Sequence, residues 1–262
     1  MRIFVAALLL SLLSLPAHGQ TLWSRPYEPN QLTVEALVPD AATEGTALSG
    51  ATFVSATVSL SDNVELAAEL PLARFRPSGD GATTSTALGN PFVGLGLSST
   101  AVPFLLQVGA RVPAAPSNRA TPIGAEADVG RTAAFGPDEF ALSAFVNGRF
   151  ELGRYSTVRL RTGPAFGSRP SPTGPDRLRR WTLHYDAQLW REGDRLITGL
   201  TLAGQSGLSR STSRHHAMLS LMGNWNLVQP GLLAGASLND LFRDGTFVPV
   251  VGLTLSVSYG RL

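Results

Sequence analysis

The sequence predicts an all-β chain, an antiparallel up-and-down transmembrane β-barrel of about twelve strands. Three observations predict it. Apolar and polar residues alternate with period two along most of the chain, long Gly/Pro/Ser/Thr-rich loops alternate with short turns, and only 15% of the residues are charged. Soluble domains carry about a quarter charged residues, so this chain has little with which to solvate an ordinary exterior. Yet beyond the N-terminus no segment reaches the uninterrupted ~20 apolar residues of a membrane helix.

The N-terminus reads as a secretory signal peptide spanning residues 1–19. Arg2 supplies the positive charge, Ile3 to Leu15 the apolar run, and Ala17 and Gly19 two alternative cleavage points. Residues 20–262 then form one barrel domain. With no cysteine, a lipid anchor on an N-terminal cysteine and a disulfide framework are both ruled out.

Alternation places the strands near 31–38, 50–60, 63–73, 90–98, 103–112, 139–150, 155–163, 180–190, 195–203, 214–225, 228–238 and 247–259. In the third, Val64, Leu66, Ala68, Leu70 and Leu72 alternate with Glu65, Ala67, Glu69 and Pro71. In the eighth, Trp181, Leu183, Tyr185, Ala187 and Leu189 alternate with Thr182, His184, Asp186 and Gln188. Short turns such as Ser61-Asp62-Asn63 and Arg191-Glu192-Gly193-Asp194 separate strands at one end, and longer loops at the other. That is the asymmetry of outer-membrane barrels, with periplasmic turns and external loops.

An unpaired backbone amide in hydrocarbon costs several kcal/mol, so strands span a membrane only in a sheet without edges. The apolar face then meets lipid. The other face makes lumen candidates of Glu65, Glu69, Gln107, Arg111, Asn147, Arg149, Arg159, Arg161, His184, Asp186 and Gln188. Aromatics suggest two interfacial girdles, Phe140, Trp181 and Phe247 outside and Phe150, Trp225 and Tyr259 on the periplasmic side. Tyr155 and Trp190 fall on the opposite phase, which calls for a bulge or a shifted boundary.

The stretch Val58-Ser59-Leu60-Ser61-Asp62-Asn63-Val64-Glu65-Leu66-Ala67-Ala68-Glu69-Leu70-Pro71, followed by Ala87-Leu88-Gly89-Asn90-Pro91-Phe92-Val93-Gly94-Leu95-Gly96-Leu97, resembles the outer-membrane proteins grouped with meta-pathway phenol degradation. The resemblance covers mainly residues 50–98. It implies an outer-membrane channel or transporter, sometimes associated with hydrophobic or aromatic compounds, and carries over no catalytic residue. Where such barrels commonly finish on an aromatic residue, this chain ends Tyr259-Gly260-Arg261-Leu262, so Tyr259 would have to serve three residues early.

The function expected is therefore a porin-like channel for small solutes, not an enzyme, with no cofactor and no metal. Two rivals stand beside it: an outer-membrane lipid hydrolase using Ser211, Ser213, His215 and His216, and a structural or adhesive barrel. His184 with Asp186 suits a proton relay, a metal pair or a plain lumen hydrogen bond. Arg177, Arg179 and Arg180 suit either lipopolysaccharide phosphates or solvent. The longest loop, Pro113 to Asp138, carries Glu126 and Asp128 and either folds inward to narrow a pore or stays outside. Expected partners are membrane lipids and a small-molecule solute; no basic face points to nucleic acid, and the barrel is expected to be a monomer.

Overall fold

The computed structural model describes residues 30–39, 49–77, 83–99, 102–171, 174, 176–208, 213–225, 227–239 and 246–259. The segment read as a signal peptide lies outside them, as does Ser211. Among the described residues the strands are β1 (Gln31–Pro39), β2 (Gly50–Ser61), β3 (Val64–Phe75), β4 (Ser85–Leu88), β5 (Phe92–Ser99), β6 (Val102–Arg111) and β7 (Phe140–Glu151). They continue with β8 (Ser156–Pro170), β9 (Arg177–Glu192), β10 (Leu196–Gly207), β11 (Ser213–Gly223), β12 (Val228–Asn239) and β13 (Thr246–Ser258).

Successive strands pair antiparallel, except that β5 pairs with β3 rather than with β4. β1 also pairs with β13, Gln31 opposite Ser258 through Pro39 opposite Val250, and the sheet closes. β4 and β5 both lie against β3 and form one interrupted stave, so thirteen segments make a twelve-stave barrel. The interruption is Gly89-Asn90-Pro91. Proline has no amide to give the ladder, and Gly89 and Asn90 donate instead to the carbonyls of Pro71 and Ala134.

The period-two pattern becomes a two-faced wall. Leu95, Leu106, Leu160, Leu189, Leu219 and Leu253 are exposed on the outside, while Gln31, Thr33, Glu35, Gln229, Thr254 and Ser256 are buried within. Closure is reinforced inside by the hydroxyls of Thr33 and Ser256, 2.8 Å apart across the β1/β13 seam. In the short turn after β7, Gly153 takes a φ of 99°, a conformation that a side chain would disfavour.

Three expectations need correction. β8 runs to Pro170, well beyond residue 163, because the β8/β9 hairpin continues to pair past the point where the apolar alternation stops. Trp190 needs no bulge: β9 stays in register with both neighbours, and the ring points inward, fully buried with Ile197 and Met222. Phe150 is not an exposed girdle residue but packs edge-on against Phe104, centroids 6.2 Å apart. Trp181, Phe247 and Trp225 are exposed, as girdle residues are. Tyr259 follows β13 and donates its hydroxyl to Thr57 O at 2.8 Å.

Candidate functional site

The segment between β6 and β7 folds inward. It contains the helix α1 (Ala120–Ala127) and a 3-10 helix (Val129–Phe135). The carboxamide oxygen of Asn118 accepts from the amides of Ala120 and Thr121 at the start of α1. Asp128 accepts from Gly130 N at 2.7 Å at the start of the 3-10 helix. Ala120, Ala127, Ala134 and Phe135 then bury against Leu37, Phe53 and Val250 of the wall. This segment is a plug, the inward alternative for the Pro113 to Asp138 loop.

Arg131 anchors it. Its guanidinium lies 2.9 Å from Glu35 on β1, 3.2 Å from Glu69 on β3 and 2.6 Å from Asp128 within the plug. It also stacks 3.7 Å from the centre of the Phe53 ring, which meets Phe135 edge-on. The second oxygen of Glu69 takes Arg111 Nη2 at 2.7 Å. Burial opposes ionisation of Asp128, but Arg131, with His216 and the Gly130 amide, outweighs it and holds the carboxyl below its ordinary range. Burial likewise disfavours the Arg131 cation, yet Asp128, Glu35 and Glu69 raise its pKa so that it stays charged.

Asn90 is the second anchor, and the break in the fourth stave explains its position. Its side-chain amide donates to Ala133 O and Gly136 O at 2.9 and 2.8 Å, while its oxygen accepts from Ala114 N and Ala115 N. One side chain thus ties both ends of the plug to the wall. Beside it, a β-carbon on Gly89 would sit 2.5 Å from Ala134 O and 2.9 Å from the Phe135 ring, so only glycine lets the plug come this close. On the far side, Gln205 of β10 donates to Thr132 at 3.0 Å.

All eleven lumen candidates occupy the inward face. Glu65, Glu69, Gln107, Arg111, Asn147, Arg159 and Gln188 are buried. Arg149 reaches Glu192 at 3.5 Å. Arg161, His184 and Asp186 line a cavity of about 90 Å³ between the plug and β7 to β10. Arg161 lies 3.9 Å over the Phe145 ring, and His184 meets the same ring edge-on and bonds Thr182 at 3.1 Å. The structure therefore brings together Glu69, Arg111, Arg161, His184 and Asp186 around the plug. Glu65, Gln107, Asn147, Arg149, Arg159 and Gln188 lie nearer the short-turn end.

Sequence reasoning missed Glu35, Asn90, Arg131 and Phe53. Glu35 and Phe53 sat on legible inward faces; Asn90 was marked only by the strand-breaking Gly-Asn-Pro. Arg131 carried the faint signal of a partner three residues from Asp128.

Of the hydrolase candidates, Ser211 lies outside the described residues and the two histidines diverge. His215 points outward, its ring 2.6 Å from the Tyr185 hydroxyl, whereas His216 on the next residue faces the inner cavity. Among the described residues no group of three or more His, Cys, Asp or Glu side chains is placed to hold a metal. Arg180 turns inward to Glu139 at 3.2 Å, and Arg177 is tied to Ser168.

The closed wall, its apolar outer belt and its polar interior decide the class. The fold is that of an outer-membrane β-barrel. No protein-family model matches the chain, and no curated protein does. Among solved structures it is similar to the NanC porin, with a TM-score of 0.57 and 9% identity over 87% of this chain and 100% of that one. An outer membrane channel from Pseudomonas putida F1 gives 0.56 and 12% over 90% and 98%. LpxR from Salmonella typhimurium gives 0.51 and 12% over 87% and 100%. At such identities the likeness is one of fold.

Proposed function

We propose that this barrel is an outer-membrane channel for small solutes, closed in the state described by its own β6/β7 segment. The observation that carries the reading is the inward plug held by Arg131 and Asn90 beside a polar cavity. A segment meant only for the exterior has no use for a guanidinium shared among carboxylates on two separate staves. Strands span without edges, the lumen is polar, and a removable plug is what converts such a wall into a gated passage. The eleven inward residues named above are the pore lining in this reading.

The rings of Phe92 and Phe145 face the same cavity and suit solutes with an apolar body, which is also what the resemblance of residues 50–98 implies. Transport fits better than catalysis because the two histidines of the hydrolase reading face opposite sides of the wall. Outside, Arg179 extends above Trp181 on the exposed end of β9, a placement suited to lipopolysaccharide phosphates, with the barrel acting as a monomer.

The test is single-channel recording in planar bilayers with the full chain and with Arg131→Gln. The native protein is expected to show small or brief openings, and the variant larger and longer ones. Silence from both, with each shown to be folded by its heat-modifiable band, overturns the channel reading.

A further inference from the structure

The outward face of the wall carries a polar pair within its apolar belt. Tyr185 on β9 and His215 on β11 stand on either side of Gly204 of β10, in register with it. The Tyr185 hydroxyl lies 2.6 Å from His215 Nδ1. A β-carbon on Gly204 would sit 2.6 Å from that hydroxyl and 2.8 Å from Nδ1, so only glycine lets the two side chains meet across the middle stave.

The pair borders a groove. One registered row runs Thr162, Tyr185, Gly204, His215 across β8 to β11; the next, two residues nearer the short turns, runs Leu160, Ala187, Leu202, Ala217. The small residues in these rows leave a depression of about 620 Å³, walled by Phe104, Val146 and Leu238. Because the rows cross strands that are themselves tilted, the groove runs obliquely through the belt.

Depth and chemistry together identify the occupant. Tyr185 is four residues below the girdle residue Trp181 and six above Arg191 at the short-turn end, in the outer half of the belt. A groove at that depth is filled by an acyl chain of the outer leaflet, where the lipid is lipopolysaccharide. A phenol in hydrocarbon costs free energy unless its hydrogen-bonding groups are met. With its hydroxyl donating to Nδ1, the Tyr185 oxygen keeps lone pairs for a further donor. His215 Nε2 is buried, with no hydrogen-bond partner among the described residues, so the groove meets the pair through Tyr185. On the same stave, two residues beyond Trp181, Arg179 stands exposed at headgroup level.

We propose that the groove binds lipopolysaccharide through a hydroxyacyl chain of lipid A, whose hydroxyl donates to the Tyr185 oxygen while Arg179 holds a phosphate above. This site rests on the placement of Arg179 toward phosphates proposed above and is independent of whether the lumen conducts.

The experiment is native mass spectrometry of the full chain, folded in detergent and equilibrated with equal amounts of phosphatidylethanolamine and a diphosphoryl lipid A carrying hydroxyacyl chains. Folding is checked by the heat-modifiable band. Lipid A is expected to be retained in preference to the phospholipid. Tyr185→Phe is expected to lower its retention about threefold, the worth of one hydrogen bond within a membrane. Ala187→Trp, which fills the groove, is expected to abolish the preference, and Leu253→Trp on the outward face of β13 to leave it unchanged. Retention that both groove variants leave untouched but Arg179→Gln lowers overturns the groove and leaves the phosphate reading standing. Equal retention of the two lipids by the native chain overturns both.

Discussion

At Arg131 one guanidinium answers carboxylates from two staves and from its own segment, and removing it strands them in a dry setting. Breaking a buried pair by deleting one partner costs about 3 to 5 kcal/mol. Arg131→Met is therefore expected to undock the plug without opening the wall, seen as faster protease cleavage between residues 112 and 139 while the heat-modifiable band persists. Asn90→Ala is expected to act alike, since two backbone amides and two carbonyls lose their partner at roughly 1 kcal/mol or more each. Asp128 gives the plug a pH dependence whose sign follows from its depressed pKa. Its contribution is complete above the unfolded value near 3.8 and is lost as pH falls through the lower folded value. Glu126 works the other way: burial, partly offset by Arg214, raises its carboxyl above 4.5, so its contribution is present in acid and lost as pH rises through the folded value. Conductance is expected to rise as pH is lowered below about 4, and Asp128→Asn to raise it at neutral pH and flatten the acid limb.

Among the elements, the staves were legible in the sequence and the plug was not. Lipid demands an apolar residue at every second position, so Val64 to Leu72 and Trp181 to Leu189 announce their strands and their inward partners. Pairing alone demands much less, which is why Arg177 to Arg180 and Gly163 to Pro170 join strands without any alternation. The plug has no period at all. Its helices are short, and what orders them is a set of contacts to β1, β2, β3, β10 and the break between β4 and β5 that no local pattern encodes. The inward residues could be named from phase, but the grouping of Glu69, Arg111 and Asp186 around one loop could not. Wall and plug should also separate experimentally. Leu219→Arg, on the outward face of β11, is expected to cost about 2 to 4 kcal/mol if it lies near the bilayer midplane, measured by urea titration of folding into vesicles. Gly89→Ala is expected to leave that titration nearly unchanged and to loosen the plug.

For the whole molecule, the balance of forces is that of a wall designed around its two solvents. Outside, exposed leucines and valines meet hydrocarbon; inside, the polar side chains are packed so closely that several are fully buried. The upper lumen even has a small apolar core of its own, built by the plug against Leu37, Phe53 and Val250. A barrel of this kind is expected to resist sodium dodecyl sulfate until heated and to keep its mobility shift when the plug anchors are removed.

The meeting of β1 with β13 carries a consequence for how such a molecule comes into being. Because the opening stave finds its partner only in the closing one, any shorter version would leave two rows of amides and carbonyls bare to oil, and the cylinder would stay a torn ribbon. Closure is thus all or nothing: the rim stays open until the last stave meets the first.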